Sequence, residues 1–148
     1  MIAAVIIVAA LIAGHGDSPE PLPPESCMAI ATAAVKYLQP AADAVAGRSV
    51  PLEVVAGTVP LATSLVAENQ TVFAEVNLSG AVVIHAAWCD LAPTDKLIVL
   101  SHEIGHVVDR ANNPWRFFAQ LTYTAFLPWG ERPTEQRANG YGRQILNF

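Results

Sequence analysis

Charge is scarce in this chain, and what there is leans acidic. Charged residues make up 14% of its 148 residues, with 8 Lys and Arg against 13 Asp and Glu, a formal net charge of −5. No Lys or Arg precedes Lys36. Without a basic stripe to neutralise phosphates, the composition argues against nucleic acid as a partner. Cysteine is equally sparse. Cys27 and Cys89 stand far apart and form no C-x-x-C pair, so they imply no metal site. In an oxidising compartment they could close one disulfide around a long loop; in a reducing one they would be two small buried hydrophobes. Hydrophobic residues, by contrast, reach 53%. The length suits one domain with enough chain to bury a core.

Part of that apolar excess is local. The unbroken run from Ile2 to Ala13 is shorter than the roughly 17–25 residues of a bilayer span. It suits the h-region of a secretory signal, about 7–15 residues. No basic residue precedes it and no clean A-x-A site follows, so a short membrane anchor competes with the signal reading. A buried N-terminal element is the third option. Residues 1–14 are accordingly set apart from the fold, and the protein is expected to be secreted or membrane-anchored, or cytoplasmic if this segment carries no targeting information. Residues 15–25, rich in proline, read as an extended linker in which His15 is a solvated residue.

From Ser26 onward, Met28, Ala31, Val35, Leu38, Ala42 and Val45 recur at helical steps. Pro40 should kink or divide this helix and Gly47 should end it. The Val-rich segments VPLEVVAG, TVFAEVNL and AVVIHAAW, separated by turn-formers such as Asn77-Leu78-Ser79-Gly80, read as two or three strands. PTDKLIVLSHEIGHVVDRANN is the strongest helical pattern, with Thr94 as N-cap and Asn112-Asn113-Pro114 as its stop. WRFFAQLTYTAF should form another helix, and a last one should run from about Thr134 to Leu146. The expected fold class is α+β. A small, mostly antiparallel sheet packs on the central helix, with further helices around it, within one domain spanning residues 26–148.

The central helix carries H-E-x-x-H as His102-Glu103-Ile104-Gly105-His106. Histidines at i and i+4 project side by side, so both imidazoles can reach one Zn²⁺. Glu103 points obliquely, where it can act as base on a metal-bound water and then as proton shuttle. No histidine follows His106, and positions 109 and 112 hold Asp and Asn, which excludes the pattern H-E-x-x-H-x-x-G-x-x-H. The third ligand must then be a carboxylate. Asp109 lies too close along the same axis to complete a tetrahedron and is left with a hydrogen bond behind the ligands or a surface charge. Glu131 falls in a turn between Gly130 and Pro133, whereas Glu135 opens the last helix, so Glu135 is the better placed.

HEIGH followed by EQRANGYGRQIL resembles the ImmA/IrrE-type metallopeptidases, whose pattern is H-E-x-x-H and then E-x-x-A-N-x-[FY]-[AG]. The match comprises His102, Glu103 and His106, then Glu135, Ala138, Asn139, Tyr141 and Gly142. The resemblance implies a zincin-like, gluzincin fold, zinc held by two His and one Glu, and Asn139 behind the ligands or in packing. Members of that family are typically cytosolic, and many act on a repressor. The N-terminus here points instead to export or tethering, and nothing in residues 26–79 suggests a DNA-binding helix-turn-helix.

The expected activity is zinc-dependent hydrolysis of peptide bonds in a protein or peptide substrate. AVVIHAAW is the expected edge for an added substrate strand. Tyr141, Tyr123 and His85 are candidates for stabilising the oxyanion. Two other classes stand beside this reading: an inactive zinc-binding module tethered to a membrane, and a membrane-associated structural protein in which HEIGH is accidental.

Overall fold

Cys27, Ala31, Val35, Leu38 and Ala42 are spaced three and four apart and put one buried stripe along α1 (Glu25–Ala46). The computed structural model describes residues 20–58 and 71–148. The apolar segment 1–14, His15 and the first part of the linker lie outside them. Helix α1 runs unbroken through Pro40. The bond that proline removes would have used the carbonyl of Lys36; both residues are exposed, so water can take its place. Gly47 ends the helix with a left-handed φ of 70°, its N–H reaching back to the Ala44 carbonyl. Gln39 and Asp43, on the last turns of α1, then hold the departing chain: Asp43 Oδ1 accepts from the Val50 N–H at 2.9 Å, and Gln39 Nε2 donates to the Val50 carbonyl at 2.7 Å.

Three short strands follow: β1 (Val54–Ala56), β2 (Ala74–Val76) and β3 (Val82–Ile84), in the order β1-β3-β2. The sheet is mixed rather than mostly antiparallel, since β3 pairs parallel with β1 and antiparallel with β2. The β2–β3 turn is local, built on Asn77 Oδ1 accepting from the N–H groups of Ser79 and Ala81. The β1–β3 pairing is not local, and alternation of apolar residues carries no information on strand direction. Val82 and Ile84 face the core with no exposure.

A short helix α2 (Ala86–Cys89) leads into α3 (Pro93–Asn112), the longest element after α1. Its N-cap is Ala92 rather than Thr94, because Pro93, with its preset φ and missing N–H, occupies the first helical position. Asn113 separates α3 from α4 (Pro114–Tyr123) and caps the latter by accepting from the Arg116 N–H at 3.0 Å. After a 3₁₀ turn (Trp129–Glu131), α5 (Pro133–Leu146) returns along α3. The molecule is thus α+β, with five α-helices and a three-stranded sheet among the described residues. None of those helices is long and apolar enough to cross a membrane.

Two glycines set how closely α3 and α5 approach. A Cβ on Gly105 would run into the backbone carbonyl of Ala138, and one on Gly142 would meet the Ser101 carbonyl at 3.0 Å. A disulfide joins Cys27 of α1 to Cys89 of α2 across 62 residues of sequence, with Cα atoms 5.8 Å apart. It secures α1 to the segment that leads into α3.

Candidate metal centre

The close contact of α3 and α5 brings Glu135, in the first turn of α5, against the histidines of α3. His102 Nε2 lies 3.0 Å from Glu135 Oε2, and His106 Nε2 lies 3.2 Å from Glu135 Oε1. One donor atom from each residue falls within 4.8 Å of the others. Around a tetrahedral ion with bonds of about 2.0–2.1 Å, neighbouring donors stand roughly 3.3 Å apart. Two imidazole nitrogens and a carboxylate at these separations are compatible with holding a metal ion. Glu131, by contrast, is exposed in the 3₁₀ turn and does not join the group.

The neighbours of the three side chains suit that role. His102 Nδ1 donates to Asn139 Oδ1 at 2.8 Å, which leaves the Nε2 lone pair for a metal. Asn139 lies one turn beyond Glu135, so both project from the same face of α5. His106 is buried, its ring steeply inclined to that of Phe117 with centroids 6.2 Å apart, and its Nδ1 finds no partner among the described residues.

Titration of the metal-free group follows from burial and mutual contact. Burial opposes charge on His102, but the hydrogen bond with Glu135 and the Glu103 charge outweigh it and raise its pKa. Burial likewise works against the Glu135 carboxylate, yet its bonds to His102 and His106 hold its pKa down to about 2. Among the described residues Glu103 has no such hydrogen bonds. Burial pushes it up to about 7, with the two histidines opposing only in part.

These residues form the floor of a cavity of about 670 Å³. One wall is the chain through β2, from Thr71 to Val76; the other includes Leu121, Trp129 and Arg132. AVVIHAAW is therefore not an open edge. β3, within AVVIHAAW, is the central strand with both sides paired, whereas β2 borders the cavity and has no second partner among the described strands. The guanidinium of Arg132 donates to the carbonyls of Leu127 (3.1 Å) and Ala125 (2.8 Å) and covers the Trp129 ring.

Other expected site residues lie elsewhere. Tyr141 packs against the core, because six residues along a helix from Glu135 turns its side chain well away from the face that carries Glu135. Tyr123 is 75% exposed at the end of α4 and His85 is wholly buried behind β2. None of the three lines the cavity, so none is positioned to stabilise an oxyanion there. Asp109 is not a surface charge. It is fully buried, with Arg137 Nε and Nη2 on its two oxygens at 2.7 and 2.9 Å and Arg116 Nη2 at 2.8 Å. It joins the end of α3 to α5 and α4 rather than touching His102, His106 or Glu135. Sequence reasoning missed Arg137, Glu75 and the packing role of Gly105. Only Gly105 left a signal, as a glycine in mid-helix where no turn is needed.

Comparison with family models, with characterised proteins and with solved structures finds no match to this chain.

Proposed function

We propose that this chain is a zinc-dependent peptidase of small size. The observation that carries the reading is the convergence of His102, His106 and Glu135, with the buried Glu103 beside them, at the floor of a cavity bordered by an edge strand. On this reading the two imidazoles and the Glu135 carboxylate hold zinc. Zinc, when bound, supplies Lewis acidity, lowering the pKa of water at its open position and polarising a carbonyl. The protein's own part is proton handling and orientation. Glu103 takes a proton as the water oxygen bonds to the carbonyl carbon, then delivers it to the amine nitrogen as the C–N bond breaks. Asn139 keeps His102 in the tautomer whose Nε2 is a ligand. An extended peptide would add to the open edge of β2, its scissile bond above the histidines.

This arrangement resembles the zincins of the gluzincin type, and the register of Glu135, Ala138 and Asn139 resembles that of the ImmA/IrrE-type enzymes. The Cys27–Cys89 disulfide supports export or tethering outside the reducing cytoplasm.

An inactive zinc-binding module is separated from a peptidase by one variant. In the full-length chain, Glu103→Gln should retain zinc by elemental analysis while hydrolysis of a quenched peptide library falls by about 10²–10⁴. Undiminished hydrolysis in that variant would show that Glu103 is not the base.

A further inference from the structure

Among the described residues, three glutamates line the cavity: Glu75, Glu103 and Glu135. The proposed chemistry uses two of them and leaves Glu75 unassigned. Glu75 sits in the middle of β2 opposite Val83, between Ala74 and Val76, whose side chains turn into the core. Its own side chain lies on the other face of the sheet. The chain beyond β3 brings His85 to that same face, its N–H bonded to the Phe73 carbonyl at 3.0 Å.

His85 has no exposure, and its Nδ1–H donates to the Gly57 carbonyl at 3.1 Å. That bond turns Nε2 toward Glu75 Oε2 at 3.7 Å, where it makes no hydrogen bond with any described residue. Burial disfavours charge on His85, but Glu75 outweighs it and raises the His85 pKa. A buried imidazole thus stands within ion-pairing distance of the Glu75 carboxylate and orients it by charge, while the carboxylate keeps lone pairs for a second partner. Arg132, the single arginine of the lining among the described residues, commits Nε and Nη2 to the carbonyls of Leu127 and Ala125. Ile98 of α3 and Leu121 of α4 add apolar lining to the same cavity. An apolar wall ending in a carboxylate is what the long stem and cationic head of a lysine or arginine require.

We propose that Glu75, positioned by His85, recognises a lysine or arginine side chain of the peptide substrate, so that the protein cleaves beside basic residues. This rests on the peptidase reading and narrows it to a substrate class.

The test uses the full-length, zinc-loaded protein and pairs of peptides differing only by lysine or norleucine at one position. The wild type should show about 10- to 100-fold higher kcat/KM for the lysine peptide of at least one pair. Glu75→Gln should bring that ratio near unity without loss of zinc, and Glu75→Lys should turn the preference toward a glutamate peptide. His85→Gln, as the loss of a positioning residue, should lower the same ratio chiefly through KM. Calorimetric binding to the Glu103→Gln variant provides a readout free of turnover: lysine peptides should bind more tightly, and adding Glu75→Gln should abolish the difference. A lysine preference unchanged in Glu75→Gln overturns the assignment, as does an active wild type with no such preference. A zinc-loaded wild type that cleaves nothing overturns the peptidase reading instead, and the binding ratio then decides whether Glu75 still recognises a cation.

Discussion

Glu103 is the costly residue of the metal-free site. Its pKa stands near 7 in the folded chain because the carboxylate is buried, against 4.5 when exposed. The unfolded chain therefore loses this proton at lower pH than the folded one. Stability falls as pH rises from about 4.5 to about 7 and stays lowered above that window. Glu103→Gln removes the effect, so chelated protein carrying it should be roughly 1–3 kcal/mol more stable at pH 8 and no more stable at pH 4. Thermal melts of the two chelated proteins at both pH values check this; equal stability at pH 8 would mean that Glu103 is not buried as a charge. Glu135 has the opposite sign, since a pKa held near 2 contributes stability above its unfolded value that is lost as pH falls. At this scale the clustering of His102, His106 and Glu135 was largely readable, because i and i+4 spacing and the first turn of a helix are local geometry. The partners of Asp109 and Glu75 were not, because Arg137 and His85 reach them only through tertiary contacts.

The site exists only if α3 and α5 touch closely. Gly105 faces the Ala138 backbone with no room for a Cβ. Gly105→Ala should therefore push α5 outward, costing about 1–3 kcal/mol by overpacking. It should also weaken zinc binding as Glu135 withdraws from the histidines. Denaturant unfolding and competitive zinc titration measure the two effects. An alanine variant with unchanged zinc affinity would show that the helix spacing does not position the ligand. The helices were legible in the sequence because apolar stripes at three- and four-residue steps are the cause of their burial. The strands were legible as Val-rich segments, but their pairing was not: a parallel β1–β3 contact depends on how a distant segment returns. That error made β3 the expected open edge, whereas among the described strands β3 is central and β2 is the edge bordering the cavity. Pro40 was overread for a related reason, since a proline on the exposed side of a helix leaves water to solvate the freed carbonyl.

Over the whole molecule, α3 is the common partner of the other layers: the sheet and α1 pack against it, and α5 and α4 return along it. The disulfide adds to this frame by closing a long loop, a contribution of about 4 kcal/mol on the chain-entropy account. The sequence left the state of the two cysteines open because pairing depends on the packing of α1 against α2, which spacing alone does not reveal. The central claim is that this frame assembles a zinc centre from His102, His106 and Glu135. Elemental analysis of purified full-length protein after dialysis, comparing the wild type with Glu135→Gln and Glu131→Gln, tests it most directly. The wild type and Glu131→Gln should each retain about one zinc per chain, and Glu135→Gln should lose it. Zinc retained in Glu135→Gln, or lost in Glu131→Gln, would contradict the centre described.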